Sequence, residues 1–117
     1  ILLSLALMAF SGGQAQDAKP REILLVAKGV AFQSPDRPDQ SNPLLVLKKG
    51  QTVKLTVRNE EPGTVMHCFT IAGLNIKTSR NLATGESETL TFTPGQRGAF
   101  AYACLMHPTM TGRVVVE

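Results

Sequence analysis

With 117 residues, 43% of them hydrophobic and 18% charged, the chain has the length and balance of one folded domain around a single core. That excludes a pair of full domains and a disordered polymer. The formal charge of +3 comes from 12 basic and 9 acidic residues spread along the chain, and Lys48-Lys49 is the sole adjacent basic pair, so no basic stripe for nucleic acid is present. The modest positive excess is expected instead to speed docking on an acidic protein or an anionic surface.

Ile1 to Phe10 is apolar except for Ser4, and small and polar residues follow from Ser11 to Gln16. This pattern reads as the remnant of a secretory signal over residues 1–15, with Gly13-Gln14-Ala15 placing small residues where a signal peptidase cleaves. A mature domain over residues 16–117, exported to a periplasm or the cell exterior, is expected. The run lacks preceding basic residues and an initiating Met, so an upstream portion is expected to be missing. It is also much shorter than the ~20 apolar residues of a spanning helix, so no stable membrane anchor is expected after cleavage.

From Glu22 onward, short apolar or alternating runs are separated by Gly, Pro, Asn and Ser, the punctuation of an all-β domain. Ile23 to Phe32 reads as one or two strands broken near Gly29. Ser34 to Pro43 holds Pro35, Pro38 and Pro43 and is expected to be a surface loop before a strand at Leu44 to Leu47. Gln51 to Asn59 alternates, with Val53, Leu55 and Val57 on one face. After a turn at Glu60 to Gly63, parity puts Val65, His67, Phe69 and Ile71 on one face of the next segment and Met66, Cys68 and Thr70 on the other. That makes His67 an inward residue and Cys68 a buried free thiol pointing away from it.

Gly73 to Gly85 accommodates a short strand, a helical turn or only loop. Glu88 to Thr93 alternates through Leu90 and Phe92, and Pro94-Gly95 turns the chain. Phe100, Tyr102 and Cys104 share a face of the next strand, and Arg113 to Glu117 closes the chain as a short β segment. Seven or eight short strands without a long helix predict an antiparallel sandwich or barrel.

The segment Tyr102-Ala103-Cys104-Leu105-Met106-His107-Pro108-Thr109-Met110-Thr111-Gly112 places thiol, imidazole and thioether side chains at intervals of three. A strand ending in Cys104 and a tight loop presenting His107 and Met110 wrap three donors of graded softness around one ion. Thiolate and thioether stabilise Cu(I) and imidazole also accepts Cu(II), so the set suits copper in an electron-transfer site. The chain has two histidines in all, and the other is the inward His67.

These residues resemble the cupredoxins, most closely the amicyanin-like and plastocyanin-like members, which share the Tyr-x-Cys-x2-His-x2-Met-x-Gly loop or a close variant. The resemblance runs from about Lys49 to Glu117, with His67-Cys68-Phe69 after a strand ending in Asn59 and with Gly85-Glu86-Ser87 before the strand that leads to the loop. It implies a Greek-key β-sandwich with one copper held at one end by His67, Cys104, His107 and Met110. It implies too that Leu105, Met106 and Pro108 form an apolar patch for electron exit, against simple loop packing. Two departures stand out: Cys68 occupies a position that is often Asn or Ser in the family, and the Glu60 to Met66 turn is longer than in amicyanin.

The function expected is single-electron shuttling between redox proteins by a monomeric, non-enzymatic carrier. A copper carrier or sensor using the same residues is the alternative. A Cys68–Cys104 disulfide is the competing structural role for the thiols. A copper enzyme needs further histidines, which the chain lacks.

Overall fold

The computed structural model describes residues 19–117, so the expected signal remnant and the start near Gln16 lie outside the described residues. Nine strands follow in order: β1 (Arg21–Ala27), β2 (Phe32–Gln33), β3 (Leu45–Leu47), β4 (Val53–Asn59), β5 (Thr70–Ile71), β6 (Ile76–Lys77), β7 (Ser87–Phe92), β8 (Gly98–Cys104) and β9 (His107–Val116). Among the described residues one 3-10 turn, Ala72–Leu74, precedes β6. Among the described residues no helix is long and apolar enough to cross a membrane.

The strands form two sheets, ordered β2-β1-β4-β7 and β3-β9-β8-β5-β6. They enclose a core from both, including Leu25, Phe32, Leu47, Leu55, Val57, Phe69, Tyr102 and Val114. The architecture is the expected β-sandwich, with one correction: the sheets are mixed. β1 runs parallel to β4 from Arg21↔Val53 to Ala27↔Asn59, and β3 runs parallel to β9. Parallel neighbours need long crossover connections, which here pass between the sheets. The first pairing has a consequence for the site, since it puts the C-terminal ends of β1 and β4 side by side.

β4 alternates as its sequence requires, with Val53, Leu55, Val57 and Asn59 buried. The segment around His67 is less regular than parity implied. Only Thr70–Ile71 is a strand, and His67 makes an isolated bridge to Leu82 through bonds in both directions, 3.0 and 2.7 Å. Inward and outward alternation therefore starts at His67, and Val65, expected inside, is 37% exposed. The uncertain Gly73 to Gly85 stretch holds a 3-10 turn, a short strand and loop together. β9 begins at His107, far earlier than the expected Arg113, which shortens the ligand loop to the turn Leu105-Met106.

An aromatic cluster joins the sheets. Phe32 meets Phe69 and Tyr102 edge-on at 5.4 and 5.7 Å, and Phe69 stacks on Tyr102 at 5.4 Å. The buried Tyr102 hydroxyl donates to Pro43 O at 2.7 Å, and Asn42 Oδ1 accepts from Phe32 N–H, so the proline-rich loop is fastened to the core at its far end. Burial also pushes the phenol's pKa well above its usual value. Gly112 lies opposite Tyr102 in the β8–β9 ladder, and a Cβ there would overlap the tyrosine ring. The last glycine of the Tyr102–Gly112 motif is thus a packing requirement.

Two substitutions separate these roles. Tyr102→Phe orphans the Pro43 carbonyl and is expected to cost about 1 kcal/mol of unfolding free energy. Gly112→Ala forces the ring to move and is expected to cost about 2–3 kcal/mol. Urea unfolding of the metal-free protein checks both, and equal costs would contradict the assignment.

Candidate metal centre

Three potential ligands from three segments converge at one end of the sandwich. The donor atoms of His67, Cys104 and His107 all lie within 4.8 Å of one another. Cys104 Sγ is 4.0 Å from His67 Nδ1 and 3.5 Å from His107 Nδ1, and the imidazole centroids are 4.7 Å apart. First-row ions sit about 2.0 Å from imidazole nitrogen and about 2.3 Å from thiolate, so donors about 3.5–4 Å apart suit one ion held between them. One thiolate with two imidazoles is the donor set of electron-transfer copper, and the site fits one copper ion.

Each position has a local cause. Cys104 ends β8 at a bulge between Ala103 and Cys104, and the ladder resumes by pairing Cys104 with His107 across the two-residue turn. The bulge re-aims the cysteine, and the turn brings His107 back within reach of its sulfur. Cys104 is buried and His107 half-buried. Met110, three residues further along β9, is fully buried. Met106 and Met66 are 45% and 37% exposed, so of these three thioethers only Met110 is enclosed.

His67 is fully buried and is held from behind by a residue the sequence did not single out. Its Nε2–H donates to Glu61 Oε1 at 3.0 Å, leaving the Nδ1 lone pair toward Cys104 in the neutral ring. Glu61, only 8% exposed, also accepts from the N–H groups of Gly29 and Val30 at 2.9 and 2.8 Å. Both residues are in the left-handed region, with φ of 67° and 54°. For a β-branched valine that conformation is strained, and its bond to Glu61 helps hold it. The turn lies at the end of β1, which parallel pairing sets beside the end of β4, and Glu60 N–H accordingly reaches Ala27 O at 3.0 Å.

Asn59 completes the frame. Fully buried at the end of β4, it donates through Nδ2 to Val65 O and Leu82 O at 2.9 and 2.8 Å and accepts from Glu61 N–H at 2.8 Å. One side chain thus clamps both ends of the His67 loop. Among the described residues no buried side-chain nitrogen or oxygen lacks a partner.

Cys68 is a free thiol, as expected, but it is not fully buried. It is half-buried, and its Sγ lies 3.7 Å from Cys104 Sγ, on the site side. Both cysteines are free thiols. Desolvation and the neighbouring Cys104 push the Cys68 thiol above its ordinary pKa, against the N–H groups of Leu105 and Met106. Parity holds from His67 onward, where burial alternates through Phe69, and fails only before the bridge, at Val65.

Burial opposes ionisation of Glu61, but the bonds from Val30, His67 and Gly29 outweigh it and hold the carboxyl below its usual range. A depressed native pKa contributes stability above the unfolded value of about 4.3, and this contribution is lost as pH falls through the native pKa. Glu61→Gln is therefore expected to destabilise the metal-free protein at pH 7, with the gap to wild type narrowing below about pH 4. Denaturant midpoints across pH check this, and a gap independent of pH would contradict it.

The comparisons agree with this fold. The family model for a cupredoxin-like domain matches residues 1–116. Auracyanin B is 19% identical with a TM-score of 0.66, over 86% of this chain and 92% of that one. A Cu(I) amicyanin variant is 23% identical with a TM-score of 0.57, over 86% and 87%. A copper-containing nitrite reductase from Thermus scotoductus is 28% identical with a TM-score of 0.64, over 85% of this chain but 28% of that one. No curated protein matches the chain. A sandwich whose thiol and two imidazoles meet at one end, matched by the family model along almost its whole length, belongs to the cupredoxin-like family.

Proposed function

We propose that the protein is an exported electron carrier whose single copper is held by His67, Cys104, His107 and Met110. The observation that carries this reading is the convergence of one thiol and two imidazoles within 4.8 Å, on segments tied into a buried hydrogen-bonded frame. Copper, when bound, supplies a one-electron Cu(II)/Cu(I) couple. The chain's own contribution is fixity. Asn59 clamps the His67 loop, Glu61 orients the imidazole, and the Cys104–His107 pairing sets the opposite side. Ligands held this way move little between oxidation states, which keeps reorganisation small. Met110 would add a weak thioether donor, and Cys68 N–H bonds the Cys104 sulfur at 3.4 Å, two means of tuning the potential.

Electrons pass through His107, the more exposed imidazole, at an apolar surface made by Leu105 and Met106, which are 76% and 45% exposed. Pro108 beside them is exposed as well. A redox protein with an apolar face and an acidic rim suits this surface and the +3 charge. The carrier works as a monomer outside the cytoplasm, in keeping with the signal-like N-terminal pattern. Both histidines of the chain belong to this one site, so no imidazole remains within these 117 residues for a second, catalytic copper.

The second reading, a copper carrier, draws on the exposed thioethers of Met66 and Met106 near the ligand-bearing segments. Retention of copper separates the two. A shuttle keeps its ion in both oxidation states through repeated reduction and oxidation with a Cu(I) chelator present. Stoichiometric loss of Cu(I) to the chelator on the first reduction would favour the carrier. Met110→Leu takes a fourth donor from the ion, a loss that costs the more highly charged Cu(II) more than Cu(I), so in the shuttle it is expected to raise the reduction potential while the thiolate band persists. An unchanged potential in cyclic voltammetry would remove Met110 from the ligand set.

A further inference from the structure

The thiol of Cys68 has no part in the proposed electron shuttle, yet its sulfur lies 3.7 Å from that of Cys104. Two backbone bonds hold the pair from opposite sides: Cys68 N–H donates to Cys104 Sγ at 3.4 Å, and Leu105 N–H donates to Cys68 Sγ at 3.3 Å. The Thr70↔Ala103 pairing fixes the register of the two segments just beyond. A disulfide bond is about 2 Å long, so joining the sulfurs requires a shift of less than about 2 Å shared by two side chains. The thiols also differ in access. Cys104 is 1% exposed, whereas Cys68 lines a shallow surface depression of about 290 Å³ together with Lys77, Ser79, Arg80 and Leu105. A small molecule in that depression meets Cys68 first.

We infer that Cys68 and Cys104 form a thiol–disulfide couple that gates copper loading, with small anionic disulfide compounds as the oxidant class. The Cys68 sulfur attacks one sulfur of the compound, forming a mixed disulfide and releasing one thiol, which takes up the proton that Cys68 gives up. The Cys104 sulfur then attacks Cys68 Sγ, forming the internal disulfide and releasing the second thiol with the proton of Cys104. One S–S bond breaks and one forms, and two electrons and two protons pass from the protein to the compound. A dithiol reductant reverses both exchanges. Lys77 supplies the positive charge at the rim that favours an anionic compound, Arg80 being already paired with Glu86 at 3.0 Å.

The gating rests on Cys104 being the copper thiolate. A disulfide sulfur cannot serve in that role, so the internal bond and copper compete for one atom. Oxidation closes the metal-free site, reduction opens it, and bound copper protects Cys104 from exchange.

The test uses the metal-free chain treated with oxidised glutathione, alone and after loading with Cu(II), beside Cys68→Ser. Alkylation counted by mass, a peptide map and the thiolate-to-copper absorption band are the readouts. The wild type is expected to lose both alkylatable thiols, to yield a linked Cys68–Cys104 peptide, and to develop a band at least about tenfold weaker until a dithiol restores it. Prior copper should keep both thiols out of the disulfide, and Cys68→Ser should load copper whether or not it met the oxidant. Thiols that stay alkylatable while reduced protein develops the full band would overturn the gate and leave the copper site standing. A reduced protein that develops no band would overturn the gate and the copper reading together.

Discussion

The bond from His67 Nε2 to Glu61 is the contact on which the geometry of the metal centre depends. An imidazole with no exposed surface must have both nitrogens accounted for, because a buried polar atom without a partner costs about 1–3 kcal/mol. Glu61 takes one of them, and by accepting a proton-bearing nitrogen it fixes the tautomer that leaves Nδ1 free beside the Cys104 sulfur. Glu61 is itself buried, so it needs its own donors, and these come from the strained turn at Gly29 and Val30. The demand for a fixed ligand thus propagates outward to the parallel pairing of β1 with β4.

This chain of dependence explains why the site occupies the end of the sandwich. Buried polar groups weaken an apolar core unless every one is satisfied. At the end of the sandwich the chain leaves the regular ladders, and Asn59 bonds three backbone groups there, Val65 O, Leu82 O and Glu61 N–H, to close the frame. Deeper in, the aromatic cluster of Phe32, Phe69 and Tyr102 keeps the sheets in register without polar groups, apart from the tyrosine hydroxyl that finds Pro43. The division leaves a rigid apolar body and a hydrogen-bonded cap, which suits a centre that must not rearrange.

Much of this was legible in the sequence because the relevant signals are local. The alternation of β4, the proline-rich loop and the three-residue rhythm of Cys104, His107 and Met110 depend on neighbours in the chain. His67 was legible because the chain has one histidine besides His107. What was hidden depends on pairing between distant segments. Glu61 read as part of a turn, since its donors are about 30 residues away in sequence and reach it through a parallel pairing that an alternating pattern does not specify. Val65 was misplaced because parity assumes a continuous strand, and here alternation starts only at the His67 bridge; the nearness of Cys68 to Cys104 is a contact between distant segments that no local pattern carries. The early start of β9 was masked by Pro108 and Gly112, which read as loop residues. The ladder tolerates Gly112 because its bare backbone makes room for the Tyr102 ring.

The central claim is that Cys104 meets copper as a thiolate between two imidazoles. The most direct measurement is the visible and EPR spectrum of the reduced protein with one equivalent of Cu(II), recorded beside Cys104→Ser. The account predicts an intense blue or green thiolate-to-copper band with narrow hyperfine splitting in the wild type and neither feature in the variant. A weak, ordinary Cu(II) spectrum that is the same in both proteins would contradict it.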